Sequence, residues 1–257
     1  MTDISTLPLL ADRDLDAPLA WRHGVPVSGH QFLADVARFA AVLPASGTAI
    51  NLCVDRYAFA VSLAAALVRG QTSLLPPDAR PDTLARLSTA DDGTYAIKDS
   101  TQTETPGLPS VLIEERAPVD ASLAAGHPVP GIARALHAVS LLTSGSTGLP
   151  QPHAKAWHTL VSNIAAAAGR LANLLGRPSL AGLTLVATVP VQHSYGLESS
   201  ALLALLGGAA FDSGRPFFPA DVAKTLASVP RPRALVTTPF HLKTLLLSGI
   251  ELPPVDL

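Results

Sequence analysis

Leu141-Leu142-Thr143-Ser144-Gly145-Ser146-Thr147-Gly148-Leu149-Pro150-Gln151 is the stretch on which the reading of this chain turns. Six small residues, Thr143 to Gly148, four of them hydroxylic and two glycines, follow the apolar run Ala138–Leu142. A helical pattern then runs from about Trp157 to Leu175. Glycines let a backbone approach an anion closely, and hydroxyls with free N–H groups supply donors. Open α/β sheets bind ligands at such strand ends, so the expectation is a phosphate cradle between a buried strand and a long helix. The loop is not a Walker loop, because no Lys-Ser/Thr follows a glycine at the required distance, and it matches neither G-x-G-x-x-G nor G-x-S-x-G. A flexible Ser/Gly linker is the bland alternative, and the apolar flanks argue against it.

Working outward, strands and helices alternate on both sides. Downstream, the patterns read as strand Leu183–Thr188, helix Leu197–Leu206, strand Ala209–Phe211, helix Ala220–Ser228, strand Ala234–Thr237 and helix Phe240–Leu247. Upstream, Trp21 to Val27 reads as a small hairpin around Gly24. Ser28, three residues before Gln31, has capping-box spacing ahead of a helix carrying Phe32, Val36, Phe39, Ala40 and Leu43. Strand Thr48–Val54, helix Tyr57–Arg69, strand Thr72–Leu75 and helix Asp82–Ser88 follow. Residues 1–20 read as irregular, and 90–135 as a loop-rich stretch with short strands at Thr94–Ile97 and Val111–Ile113. The fold class expected is α/β, mostly parallel sheets flanked by helices.

Composition narrows the function classes. The chain has 257 residues, 48% hydrophobic and 15% charged, with a net charge of −2, which excludes disorder. With 18 Lys+Arg against 20 Asp+Glu there is no basic field for nucleic acid. A single cysteine, Cys53, excludes a disulfide scaffold and a cysteine-based zinc site. Mean hydropathy is high at +0.33, yet the apolar runs at Ala58–Val68 and Ala201–Phe211 fall short of the roughly 18–20 residues of a membrane span. Met1 to Asp16 lacks the basic and apolar regions of a signal peptide, so a cytoplasmic chain is expected. His153 and His158 are five apart, off the i, i+4 spacing of a metal pair, and no metal ligand is assigned.

Thr143 to Pro150 resembles the phosphate-binding motif of the adenylate-forming superfamily, which comprises acyl- and aryl-CoA synthetases, peptide-synthetase adenylation domains and luciferases. Val189-Pro190-Val191-Gln192-His193-Ser194-Tyr195-Gly196-Leu197-Glu198 resembles the Pro-x-x-His-x-x-Gly segment that follows the next strand in that family. Val236-Thr237-Thr238-Pro239-Phe240 is a weaker match, at the turn that walls the acyl pocket. In one departure Gln151 stands where the family places Lys, with Lys155 four residues on. That variant, with Gln192-His193-Ser194-Tyr195-Gly196, resembles the short AMP-ligases of aryl-polyene and xanthomonadin-type pigment clusters.

The resemblance implies the N-terminal portion of the adenylate-forming fold, residues 21–257 forming an incomplete adenylation domain that ends before the family's Thr-Glu motif and late catalytic Lys. It implies attack of a carboxylic acid on the α-phosphorus of ATP, giving acyl-AMP and pyrophosphate. The acyl group then passes to the thiol of CoA or of a phosphopantetheine-bearing acyl carrier protein. Thr143, Ser144, Gly145, Ser146, Thr147 and Gly148 would wrap the phosphates. His193 would face the carboxylate, and Lys155 would reach the phosphates. Tyr195, Gly196, Thr237, Thr238 and Pro239 would line the acyl pocket, with Gly196 leaving room for substrate. Mg²⁺ would accompany ATP on ligands outside this chain, and apolar surface left uncovered would favour self-association. Against these roles stand a helix-start histidine at 193, a packing aromatic at 195 and a solvated lysine at 155. The alternatives are a truncated or degenerate adenylation domain that binds ligand or a partner without turnover, and an unrelated nucleotide-binding α/β enzyme.

Overall fold

Three β-sheets, described in a computed structural model over residues 5–88, 93–114, 126–144 and 150–257, organise the chain. The strands are β1 Thr6–Pro8, β2 Pro18–Arg22, β3 Val25–Ser28, β4 Thr48–Asn51, β5 Thr72–Leu75, β6 Thr94–Lys98 and β7 Ser110–Leu112. They continue as β8 Gly131–Ala133, β9 His137–Ser144, β10 Pro150–Ala156, β11 Thr184–Ala187, β12 Ala210–Asp212 and β13 Arg233–Val236. A six-stranded sheet has the order β10-β9-β5-β4-β6-β7, parallel except for the edge strand β10. A five-stranded sheet has the order β13-β11-β12-β2-β3, parallel except for the edge strand β3. β1 and β8 form a separate antiparallel pair. The expected α/β class with mostly parallel sheets is the one observed.

The helices are α1 Gly29–Ala40, α2 Arg56–Val68, α3 Pro81–Ser88, α4 Trp157–Leu174, α6 Pro219–Ser228 and α7 Pro239–Leu247. Between α4 and α6, the helix α5 runs through Ser194–Gly196, a π-helical stretch Leu197–Leu202 and Leu203–Gly207. α1 begins where the capping spacing places it, with Ser28 Oγ accepting from the Gln31 N–H at 3.1 Å. α2 is capped by Asp55 and is buried along its whole length from Arg56 to Leu67. A helix apolar on every side belongs between layers rather than on a surface. Much of the chain's apolarity resides in α2, in α5 and in the parallel strands. No helix among the described residues is long and apolar enough to cross a membrane.

Two expectations are corrected here. The segment 1–20, expected to be irregular, is ordered in its described part from residue 5: β1 pairs with β8, Leu9 and Leu10 are buried, and Arg13 donates to the carbonyls of Ala204, Ala209 and Pro18. The stretch after Gly148 does not lead directly into a helix, because Pro150–Ala156 is strand β10, paired with β9 from Pro150↔Ser144 to Ala156↔His137. The motif loop therefore joins two antiparallel strands. Pro150 and Pro152 are tolerated because β10 lies at a sheet edge, where a missing N–H costs little.

Part of the apolar content is not covered. α7 leaves Phe240, Leu246 and Leu247 largely exposed, and Phe217 and Phe218 lie exposed in the segment before α6. Phe217 stacks edge-on against both Phe218 and His241.

Candidate functional site

β10 runs with a period of two, so His153 and Lys155 project to one side of the edge strand. Both line a cavity of about 250 Å³ together with Leu141 and Leu142 of β9 and with Gln192, His193 and Ser194. The strands that flank the first motif and the second motif segment itself, separated by α4 and β11 in the chain, thus meet at one place. Residues 145–149, which carry Gly145, Ser146, Thr147 and Gly148, lie outside the described residues. Thr143 and Ser144 end β9.

His193 stands one residue before α5 in extended backbone, φ −90° and ψ 150°, and its side chain makes no capping bond to the helix. The residue is exposed. Its neighbour Gln192 donates Nε2–H to the Cys53 carbonyl at 2.5 Å, tying the segment to the turn between β4 and α2. Lys155 forms an ion pair with Glu198 of α5 and donates to Ser194 Oγ at 3.1 Å. Ser194 Oγ donates in turn to Glu198 Oε1 at 2.8 Å. The ammonium is therefore held against α5 by a carboxylate that the motif reading left unassigned. Glu198 lies four residues after Ser194, the spacing that puts two side chains on one helix face, and that spacing was the available signal.

The acyl-wall residues fall into two groups. Tyr195 is half-exposed, and its hydroxyl donates to the Thr237 carbonyl at 3.2 Å, so these two are brought together. Thr237 Oγ1 lies 2.8 Å from Thr188 Oγ1, which also lies 3.1 Å from His241 Nδ1. Thr238 caps α7 by accepting from the His241 N–H at 3.2 Å, and Pro239 occupies the first helical turn. None of these residues lines the cavity shared by Lys155 and His193. Gly196 has a packing reason of its own. A Cβ there would stand 1.9 Å from the Pro190 carbonyl oxygen.

A larger cavity of about 540 Å³ lies at the carboxyl ends of β4, β6 and β7 and contains none of the motif residues. It is bordered by Tyr57, whose hydroxyl donates to Asp35 at 2.6 Å, and by Asp99, which accepts the N–H groups of Val54 and Asp55 at 2.7 Å each. Burial raises the Asp99 carboxyl above the usual carboxylate range. Among the described residues no cluster of three metal-ligating side chains is present.

No protein-family model matches the sequence, and no curated protein matches it. Its fold does have counterparts among solved structures. O-succinylbenzoate coenzyme A synthetase (MenE) from Bacillus subtilis, in complex with ATP and magnesium ion, aligns over 94% of this chain and 64% of its own, with TM-score 0.69 and 16% identity. ATP-bound MatB from Rhodopseudomonas palustris aligns over 92% of this chain and 50% of its own, with TM-score 0.68 and 18% identity. A malonyl-CoA ligase in a ternary product complex with methylmalonyl-CoA and AMP aligns over 85% and 45%, with TM-score 0.63 and 20% identity. The chain thus has the fold of the N-terminal part of adenylate-forming CoA synthetases and spans less than two thirds of the length of these structures.

Proposed function

We propose that this chain carries the phosphate- and carboxylate-facing part of an ATP-dependent, AMP-forming acid–thiol ligase. The observation that supports this reading best is the convergence of Lys155, Ser194 and His193 on one cavity beside the β9–β10 hairpin, the two strands that flank the motif from Thr143 to Gly148. Transfer to phosphorus needs positioning and charge neutralisation more than covalent help. The loop donors and the Lys155 ammonium would hold the phosphates, and the exposed His193 would face the carboxylate. Tyr195 and Thr237 would form the acyl wall, with Thr238 and Pro239 fixing the helix behind it. Magnesium, when bound with ATP, would supply further neutralisation of phosphate charge, and few of its ligands would come from this chain.

The finer reading is an AMP-ligase of the aryl-polyene or xanthomonadin pigment type, supported by Gln151 and by the run from Gln192 to Gly196. The acceptor in that reading is the thiol of CoA or of an acyl carrier protein. Self-association through the face formed by Phe240, Leu246 and Leu247 belongs to the same reading.

Carboxylate-dependent exchange of pyrophosphate into ATP tests the proposal. Exchange that is lost in His193→Ala, together with weaker nucleotide binding in Gly148→Ala, is the expected outcome. ATP or acid binding with no exchange would favour a binding domain without turnover. ATP hydrolysis indifferent to any carboxylate would favour an unrelated nucleotide-binding enzyme.

A further inference from the structure

Arg56 opens α2 and is 2% exposed, among the largest fully enclosed side chains among the described residues. Its guanidinium has five N–H donors, and five acceptors surround it. Nε donates to Ser200 Oγ at 3.0 Å. One terminal nitrogen donates to the carbonyls of Asp212 at 3.2 Å and Gly214 at 2.5 Å. The other donates to the carbonyls of Ala187 at 3.2 Å and Val189 at 3.0 Å. Burial lowers the Arg56 pKa to about 10, with Asp212 opposing that shift, so the group stays charged at neutral pH. Four of the five acceptors are backbone carbonyls, which makes this a scaffold contact rather than an ion pair.

The acceptors are not scattered. Ala187 ends β11 and Val189 leads out of it, so Arg56 fixes the chain four residues before His193. Ser200 lies in the π-helical stretch of α5 and donates to the Gly196 carbonyl at 2.5 Å, so Arg56 also fixes the helix just after His193. Gly196 presses against the Pro190 carbonyl with no room for a Cβ. Gln192 hangs from the Cys53 carbonyl, three residues before Arg56. The His193 segment of one sheet layer is thereby held by the β4–α2 turn of the other. π-helical stretches recur at functional sites, and here the hydroxyl within the stretch belongs to the clamp.

We propose that Arg56 is a positioning residue: through the carbonyls of Ala187 and Val189 and the hydroxyl of Ser200, it sets where His193 stands relative to Lys155 and the β9–β10 hairpin. This deepens the functional reading above, since it rests on His193 facing the carboxylate. Lysine cannot replace it, because an ammonium offers three donors at a point where the site presents five acceptors around a planar fork.

The test is the His193 ring resonance of the isotopically labelled chain, assigned by its loss in His193→Ala and compared with that of His30, which lies on α1. In a folded Arg56→Lys variant the His193 signal shifts or broadens while the His30 signal stays in place. Exchange of pyrophosphate falls about tenfold to a hundredfold, as expected for a reacting group displaced by about 1 Å. MgATP affinity changes much less than the exchange rate, since none of the groups Arg56 holds belongs to the segment from Thr143 to Gly148 assigned above to the phosphates. Ser200→Ala removes one acceptor with little disturbance and gives a smaller shift in the same direction, which keeps the test open if Arg56→Lys does not fold. An unmoved His193 signal in the folded variants overturns the proposal, as does a loss of exchange that merely tracks the folded fraction. A moved His193 signal with no exchange in the unsubstituted chain supports the positioning role and defeats the functional reading instead.

Discussion

Lys155 of the edge strand β10 is ion-paired with Glu198 of α5, and the hydroxyl of Ser194 bonds to both. The pair joins the β9–β10 hairpin to the helix that follows His193. Each side chain is 25% exposed, so solvent screens the attraction without abolishing it. A double-mutant cycle of Lys155→Met and Glu198→Gln, read by urea unfolding, is expected to give a coupling of about 0.5–1 kcal/mol that shrinks in 1 M salt. The same variants separate structure from function. Glu198→Gln frees the ammonium and is expected to strengthen ATP binding severalfold, whereas Lys155→Met weakens it. ATP binding weakened in both would show that the pair itself, and not the free lysine, serves the nucleotide.

Gly196→Ala is expected to be among the costlier single substitutions in the chain. The new Cβ would stand 1.9 Å from the Pro190 oxygen and 2.7 Å from its carbonyl carbon, both backbone atoms that cannot turn aside. Overpacking of this kind costs about 1–3 kcal/mol, measured as a lower urea midpoint with unchanged slope. Gly176→Ala is a useful contrast, because its Cβ meets nothing within 4 Å and only its φ of +62° is unfavourable. Equal stability of Gly196→Ala and the unsubstituted chain would mean the contact relaxes freely.

What could be read in advance depended on whether a feature is local. The Ser28 cap, strand Thr72–Leu75 and the helix following Asp55 depend on neighbours in sequence, and each stands within a residue or so of its expected place. β10 was hidden because Pro150 and Pro152 argue against a strand, and only its edge position permits them. β1 was hidden because its partner β8 lies far along the chain. Arg56 carried no signal, since four of its acceptors are carbonyls, which every residue possesses. His193 and Lys155 stand out by residue type and motif position, whereas the pairing of Lys155 with Glu198 joins two elements 43 residues apart, and only the Ser194–Glu198 spacing hints at it in the sequence.

Cys53 is fully buried, with its sulfur 3.5 Å from Ser62 Oγ. Burial pushes the thiol well above its ordinary value, and Asp99 and Asp55 add to that shift. Thiolate is the reactive form, so a disulfide reagent is expected to leave the native chain untouched and to label one equivalent in denaturant. Labelling under native conditions should follow the rate of global opening. Rapid native labelling would show that the β4–α2 turn opens on its own, and the anchor of Gln192 with it.

Tyr95 of β6 is buried, and its hydroxyl donates to Gln71 Oε1 at 2.6 Å. Burial pushes this phenol up to about 12, against a smaller opposing pull from Arg69. Tyr57 is shifted in the same direction, first by burial and then by Asp35. A phenol whose folded value lies above its unfolded value of about 10 contributes fully to stability below that pH. Between pH 10 and 12 the unfolded chain releases the proton while the folded chain retains it, so stability falls as pH rises. Urea midpoints recorded across pH 8–12 should therefore drop steeply above pH 10, and Tyr95→Phe should reduce the slope. The same substitution leaves Gln71 Oε1 buried without its donor and costs about 1–2 kcal/mol at pH 8. Parallel pH curves for the two proteins would remove Tyr95 from the alkaline transition and leave it to Tyr57.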